Sequence, residues 1–291
     1  MKDVKIVGVD IGGTKISGGL VVNSHITQKA TTCTGSEGSK EEILSNLFRT
    51  IDKVIMPDVD GIGIGVPGII DITNGVVYDV KNIPTWKELH LKEEVEKKYE
   101  VKTYLNNDAN CFILGEKIFG KGTPYKNLVG LTLGTGLGTG ILIENKIYSG
   151  LANGAGEYSM LPYRDANFEM YCSGKFFSHI KKVSGKLTYE AATVGDKNAL
   201  WLWEEYAMHL SELIKVIIYS IAPEAIILGG SVSKGFEFFI DHLKNKLGRL
   251  ELQRVSQKLI IERSEVPDVS ILGAAALYIN NNIIKDQAHH A

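Results

Sequence analysis

The 291-residue chain is poor in the features that mark several common protein classes. Its three cysteines, Cys33, Cys111 and Cys172, are odd in number and far apart, and no Cys-x-x-Cys pair exists. This argues against a disulfide framework and a cysteine-rich zinc site, and reduced thiols in a cytoplasmic protein are the simplest account. No excess of either charge is present: 32 Lys and Arg against 34 Asp and Glu leave a net charge of -2. A nucleic acid or an anionic membrane as main partner would favour a basic face, so neither is expected. The opening MKDVKIVGVDIGG carries Lys2, Asp3, Lys5 and Asp10 and does not read as a signal peptide. The apolar stretch nearest to membrane length, Leu210 to Leu228, is interrupted by Glu212, Lys215, Pro223 and Glu224. It reads as a buried helix followed by a strand. His25, His90, His179, His209 and His242 show no paired spacing and read as surface or satisfied core residues.

What is present is ordinary globular composition, 23% charged and 44% hydrophobic, in a chain long enough for two domains. Val4 to Val9 reads as an apolar strand running into Asp10-Ile11-Gly12-Gly13-Thr14-Lys15, and Ile16 to Val22 as its hairpin partner. The glycines thus join two strands, unlike a Rossmann or P-loop turn, which opens a helix. Lys40 to Ile55 has the spacing of an amphipathic helix, with Ser39 and Glu42 as a capping box. Gly61 to Val66 reads as a strand ending in Pro67-Gly68, Lys87 to Tyr99 as a charged helix, and Val101 to Leu105 as a strand. A helix then runs to Gly120, read as a left-handed C-cap. The order is β-β-β, α, β, α, β, α.

A similar pattern follows. Leu128 to Leu133 reads as a strand, Gly134 to Gly140 as a second glycine-rich hairpin, Ile141 to Ile143 as its partner strand and Asn145-Lys146 as a turn. Phe168 to Val183 and Asn198 to Ala222 read as helices. Ala225 to Leu228 reads as a buried strand before Gly229-Gly230-Ser231, Gly235 to Leu247 as a helix, Lys258 to Glu262 as a strand, and Leu272 to Ile279 as a final helix. The weak repeat of Asp10 to Thr14 in Gly134 to Gly138 suggests two related domains facing one another. We expect a smaller N-terminal domain, 1–115, completed by a C-terminal helix, 272–285, and a larger domain, 116–271.

Turns of glycine and threonine expose backbone N–H groups, and two of them could hold a polyphosphate between them. Asp10 could hold Mg²⁺ directly or through water. Taken singly, each turn is equally readable as a tight hairpin. The stretch Asn106-Asn107-Asp108-Ala109-Asn110 puts a carboxylate between a strand and a helix, where α/β folds bind ligands. By itself it could equally be a helix cap.

Five motifs together carry a resemblance. Asp10 to Lys15, Gly65-Val66-Pro67-Gly68, Asn107 to Asn110, Leu133 to Gly140 and Gly154-Ala155-Gly156-Glu157 resemble the ROK family of sugar kinases and sugar-responsive repressors. The match runs from about residue 4 to about residue 280. It implies an α/β actin/hexokinase-like ATPase fold, ribonuclease H-like, with two domains flanking a cleft. It implies Asp108 as general base, and Gly68, Asn107, Asp108, Glu157 and Glu169 as sugar contacts. Asp10, Gly12, Gly13, Thr14, Gly134, Thr135 and Gly136 would embrace the phosphates and Mg²⁺, and Gly229 and Gly230 would lie against the adenosine.

One departure concerns zinc. Many members carry a His just after the Glu of the fourth motif's successor and a Cys-rich stretch ending in Cys-x-Glu; here Met160 replaces the His and Asn167 the last Cys, and the short loop holds no Cys. No structural zinc is expected. The implied activity is ATP- and Mg²⁺-dependent phosphorylation of a hexose at its 6-hydroxyl, as by a glucokinase. Alternatives are an N-acetylhexosamine kinase (GlcNAc or ManNAc), a fructokinase, a non-catalytic sugar-sensing regulator or an actin-like assembly ATPase. With the first strand read from Val4, a DNA-binding domain before it is not expected. The resemblance also makes a homodimer an expectation.

Overall fold

The computed structural model describes residues 4–80 and 82–289. Lys2 and Asp3, used above in reading the N-terminus, lie outside the described residues. The chain divides into two compact units. The first comprises Met1–Thr123, Ser149–Ala155 and Val266–Ala291; the second comprises Pro124–Tyr148 and Gly156–Glu265.

The first unit contains β1 (Lys5–Ile11), β2 (Lys15–Val22), β3 (His25–Cys33), α1 (Lys40–Asp52), β4 (Gly61–Val66), β5 (Ile69–Asp71), β6 (Val76–Tyr78), β7 (Glu88–Leu89), α2 (Leu91–Tyr99), β8 (Thr103–Asn107) and α3 (Asp108–Phe119). Its main sheet has the order β3-β2-β1-β4-β8. The two hairpin pairings are antiparallel, whereas β1, β4 and β8 run parallel. One face of the sheet is covered by α1, with its capping box at Ser39 and Glu42. Ile43, Leu47 and Ile51 from that helix are fully buried with Val7, Ile62 and Ile64 from the sheet.

The other face takes the C-terminal helix, Val269–His289. Its backbone approaches so closely that no Cβ fits between the layers. A Cβ on Gly63 would lie 1.8 Å from the Ala274 carbonyl oxygen, and one on Gly8 would lie 2.1 Å from that of Ile271. On the helix's other flank, a Cβ on Gly273 would lie 1.9 Å from the Cys111 carbonyl oxygen in α3. The run Gly273-Ala274-Ala275-Ala276 is thus small because it is clamped between sheet and helix, and its three alanines are wholly buried.

The second unit repeats this plan. It contains β9 (Leu128–Leu133), β10 (Leu137–Ile143), β11 (Lys146–Ile147), β12 (Pro162–Tyr163), β13 (Ala166–Asn167), α4 (Phe168–Cys172), α5 (Gly185–Thr193), α6 (Lys197–Ser220), β14 (Ala225–Gly229), α7 (Phe236–Leu247), α8 (Gln253–Ser256) and β15 (Ile260–Arg263). Its sheet order is β11-β10-β9-β14-β15, again two antiparallel pairings followed by a parallel set. The repeat seen weakly in the glycine turns is therefore a repeat of strand order and direction. Among the described residues no helix is long and apolar enough to cross a membrane.

Several expected elements differ. Gly120 is not left-handed; its φ of -128° and ψ of -155° are extended. Its small size serves packing instead, because a Cβ there would meet the Glu116 carboxylate at 2.3 Å. The helix expected over 168–183 ends at Cys172, because Ser173 is extended, and a π-helical turn, Phe176–Ile180, follows. Residues 87–90 precede the charged helix, and Glu88–Leu89 pairs as a strand. The third strand of the expected order is the edge strand β3, which had no bounds in the sequence reading because its alternation is weak and neither face is buried. Asn23 and Ser24, both at positive φ, turn the chain into it.

A testable consequence concerns the clamped seam. Gly63→Ala is expected to lower the unfolding free energy by about 3 kcal/mol, the upper range for overpacking a core, because backbone must move. Urea unfolding of the variant beside wild type measures this, and equal midpoints would contradict it.

Candidate active site

In the first unit, three parallel strands end side by side, and each ends in an expected site motif. β1 runs into Asp10 and the Gly12–Thr14 turn, β4 into Pro67-Gly68, and β8 into Asn107 and Asp108. Ligands in α/β folds collect outside the carboxyl ends of such strands.

Asp10 is half-buried. Burial raises its pKa, while a hydrogen bond from Ser270 and the Lys15 charge oppose the rise. Ser270 opens the C-terminal helix, so the clamped helix also supports this carboxylate. The turn is held by Gly12 N–H donating to the Lys15 carbonyl at 2.9 Å. Thr34, which sequence reading passed over, fastens it from the end of β3. Its N–H donates to the Thr14 carbonyl at 3.0 Å and its hydroxyl to that of Gly12 at 2.6 Å. Gly68 is exposed with φ +106°, a region L side chains rarely adopt.

Around Asp108 the asparagines form a ladder. Asn107 caps α3 by accepting from the Asn110 N–H at 2.7 Å. Asn106 Oδ1 accepts from the Asn107 N–H at 2.8 Å and from Asn110 Nδ2 at 2.9 Å. Asn110 Nδ2 also donates to Asn153 Oδ1 at 3.2 Å, bringing the Gly150–Gly154 loop beside the helix start. Asp108 is exposed, and its Oδ1 accepts from the Ala109 N–H at 2.9 Å. The cap is thus Asn107, leaving Asp108 turned to solvent at the helix N-terminus, where the dipole favours its charge. Burial pushes the pKa of the Cys111 thiol up, and the charges of Asp10 and Asp108 push it further.

In the second unit the glycine motifs are likewise brought together. Gly230, at φ +85°, packs so tightly on Leu133 that a Cβ would lie 2.4 Å from its carbonyl oxygen. Gly229-Gly230 therefore abuts the base of the Gly134–Gly136 turn, whose tip, Thr135, is exposed. Glu169 stands against the same turn. Its Oε2 accepts from the Leu137 N–H at 3.3 Å, and its Oε1 pairs with Lys175 Nζ at 2.5 Å. Glu157 is exposed at the start of the 3₁₀ turn Tyr158–Met160.

The segment expected to lack zinc is a short hairpin, β12–β13, ending in α4. Among the described residues no group of three or more His, Cys, Asp or Glu is arranged to hold a metal. Aromatic packing anchors the hairpin. Tyr163 stacks on Phe168 with centroids 4.5 Å apart, meets Tyr171 edge-on at 5.3 Å, and hydrogen-bonds His209 Nδ1 at 3.0 Å. His209 is a buried member of α6 and faces Glu205 at 3.8 Å. Met160 is exposed.

Two doubly repeated sheets, each led by a glycine-turned hairpin, define the actin/hexokinase-like ATPase fold. The chain belongs to the ROK family, whose pattern matches residues 6–281. It is 31% identical to a glucokinase of Thermotoga maritima, over 95% of this chain and 98% of that one. It is 28% identical to a xylose repressor of Caldicellulosiruptor bescii, over 96% of this chain and 79% of the repressor. A crystal structure of a ROK family glucokinase from Streptomyces griseus, in complex with glucose and AMPPNP, aligns with a TM-score of 0.80 and 27% identity. That alignment covers 94% of this chain and 98% of the other.

The sequence did not signal Asn153, Thr34, Ser270 or Lys175 as partners of the site. None lies at a periodic spacing from the residue it holds, and only the fold joins them.

The aromatic anchor yields a pH prediction. Burial lowers the His209 pKa to about 4, against an ordinary 6.5. Between these values the unfolded chain binds a proton that the folded one does not. Stability is therefore lost as pH falls from 6.5 towards 4, by at most about 1.4 kcal/mol per pH unit. His209→Phe is expected to flatten this part of the stability profile, as read by urea unfolding at pH 7, 6 and 5. A variant profile parallel to wild type would refute the assignment.

Proposed function

We propose that the protein is an ATP-dependent sugar kinase that phosphorylates the 6-hydroxyl of a hexose, glucose foremost. The observation that carries this reading is the row of motifs at neighbouring strand ends in the first unit. There a carboxylate at a helix N-terminus, Asp108, and a carboxylate beside a glycine turn, Asp10, stand at the ends of strands of one parallel set. The glucokinase relatives support it.

In this reading Asp108 accepts the proton of the hydroxyl while that oxygen attacks the γ-phosphorus. The bond from the γ-phosphorus to the bridging oxygen breaks, and ADP leaves. Such a base contributes about 10²–10⁴-fold, and positioning with charge stabilisation contributes the rest. The side-chain cap of α3 is Asn107, and the asparagine ladder holds the helix N-terminus on which exposed Asp108 stands. Asn107, Gly68, Glu157 and Glu169 are assigned to sugar hydroxyls, the two glycine turns to phosphates, and Gly229-Gly230 to adenosine. Asp10 suits Mg²⁺ as a hard anionic oxygen whose burial cost a cation would offset. When bound, Mg²⁺ would draw charge from the phosphate oxygens.

The xylose-repressor relative makes a sugar-binding regulator without phosphotransfer the rival reading. ADP release with ATP and Mg²⁺ is to be measured against glucose, mannose, fructose, xylose, GlcNAc and ManNAc. The kinase reading expects stimulation, strongest with glucose; sugar binding with no stimulation by any of them would favour the regulator. Asp108→Asn keeps the acceptor for the Ala109 N–H, so the thermal melt should hold while kcat falls by about 10²–10⁴-fold. A near-normal kcat would remove Asp108 from the role of base.

A further inference from the structure

Lys175 is left unused by the roles above, yet its place is distinctive. It follows Ser173-Gly174, and this segment is laced to the Gly134–Gly136 turn. The Gly174 N–H donates to the Gly134 carbonyl at 2.7 Å, and the Ser173 hydroxyl reaches that of Thr135 at 3.4 Å and that of Glu169 at 2.6 Å. The extended backbone at Ser173 that breaks the helix directs the chain past the turn. Lys175 then reaches back, and its ammonium sits 2.5 Å from Glu169 Oε1; both side chains are about one-third exposed. Glu169 in turn rests on the glycine turn, and a Cβ on Gly136 would lie 2.8 Å from its Oε2.

A carboxylate against a turn that receives phosphate repels the phosphate. With Lys175 beside it, the local charge is balanced. An ammonium also has three donors, of which Glu169 engages one. We propose that Lys175 is a phosphate-binding residue of the nucleotide site: Glu169 holds its ammonium beside the Gly134–Gly136 turn, where it donates to a phosphate oxygen of ATP. The alternative role, merely orienting Glu169 for sugar, makes a different kinetic signature. The inference rests on the kinase reading for the identity of the anion.

The test is a titration of the protein with AMPPNP and Mg²⁺, followed by KM values for ATP and sugar, on wild type, Lys175→Met and Lys175→Arg. Loss of one charge-assisted hydrogen bond is expected to weaken AMPPNP binding and raise the ATP KM by about tenfold or more. The sugar KM should change little, and Lys175→Arg should recover most of the loss. Should Lys175→Met not fold, Lys175→Gln, which keeps a donor for Glu169 without the charge, is read in the same way. Unchanged AMPPNP affinity, or a rise confined to the sugar KM, would overturn the proposal. The titration needs no turnover, so a wild type that binds AMPPNP but shows no sugar-stimulated ADP release defeats the kinase reading alone. A wild type that binds no AMPPNP defeats both.

Discussion

The first unit depends on the absence of Cβ atoms along one seam. Gly8 and Gly63 on the sheet and Gly273 on the C-terminal helix let backbone meet backbone, with the Cys111 turn of α3 on the far side. Close backbone approach leaves no freedom for the layers to slide, because interiors transmit rather than absorb strain. Two consequences reach the site. Ser270 at the helix start is set against Asp10, and α3 is held at a height that puts Asp108 at the end of β8. Both carboxylates are thus indexed to one helix contributed by the last part of the chain.

Charge is managed differently in the two units. In the first, burial opposes the ionised form of Asp10, while Ser270 and Lys15 relieve it. A carboxylate of that kind gains from any cation that arrives. In the second, Glu169 already has its counter-ion in Lys175. The shared plan of the two sheets therefore does not impose a shared chemistry; the side chains that approach each glycine turn set its charge.

The β12–β13 hairpin is held by rings and by a buried histidine whose pKa burial lowers. Tyr163 is central: it stacks, meets an edge and bonds to His209 with one side chain. This cluster lies directly before Glu169, so the packing that fixes the hairpin also fixes the first turn of α4.

Much of this was legible in the sequence alone. Local signals suffice where the physics is local. The capping box at Ser39, the apolar strands ending at Asp10, Val66 and Leu133, and the strand-to-helix switch at Asp108 are set by neighbours a few residues apart. The paired glycine turns were enough to suggest a duplicated plan, and the family resemblance followed from motif order. Only the tertiary structure decided the rest. Gly120 read as a left-handed cap but is small to admit Glu116; Ser173 breaks an apparent helix because its segment hydrogen-bonds Gly134 and Thr135, some forty residues earlier. Asn107, not Asp108, caps α3 through its side chain, and Asn153 and Thr34 join the site through contacts of no fixed spacing. A hydrogen bond between distant residues leaves no periodic trace in a chain, so sequence determines which groups are available and packing decides which of them meet.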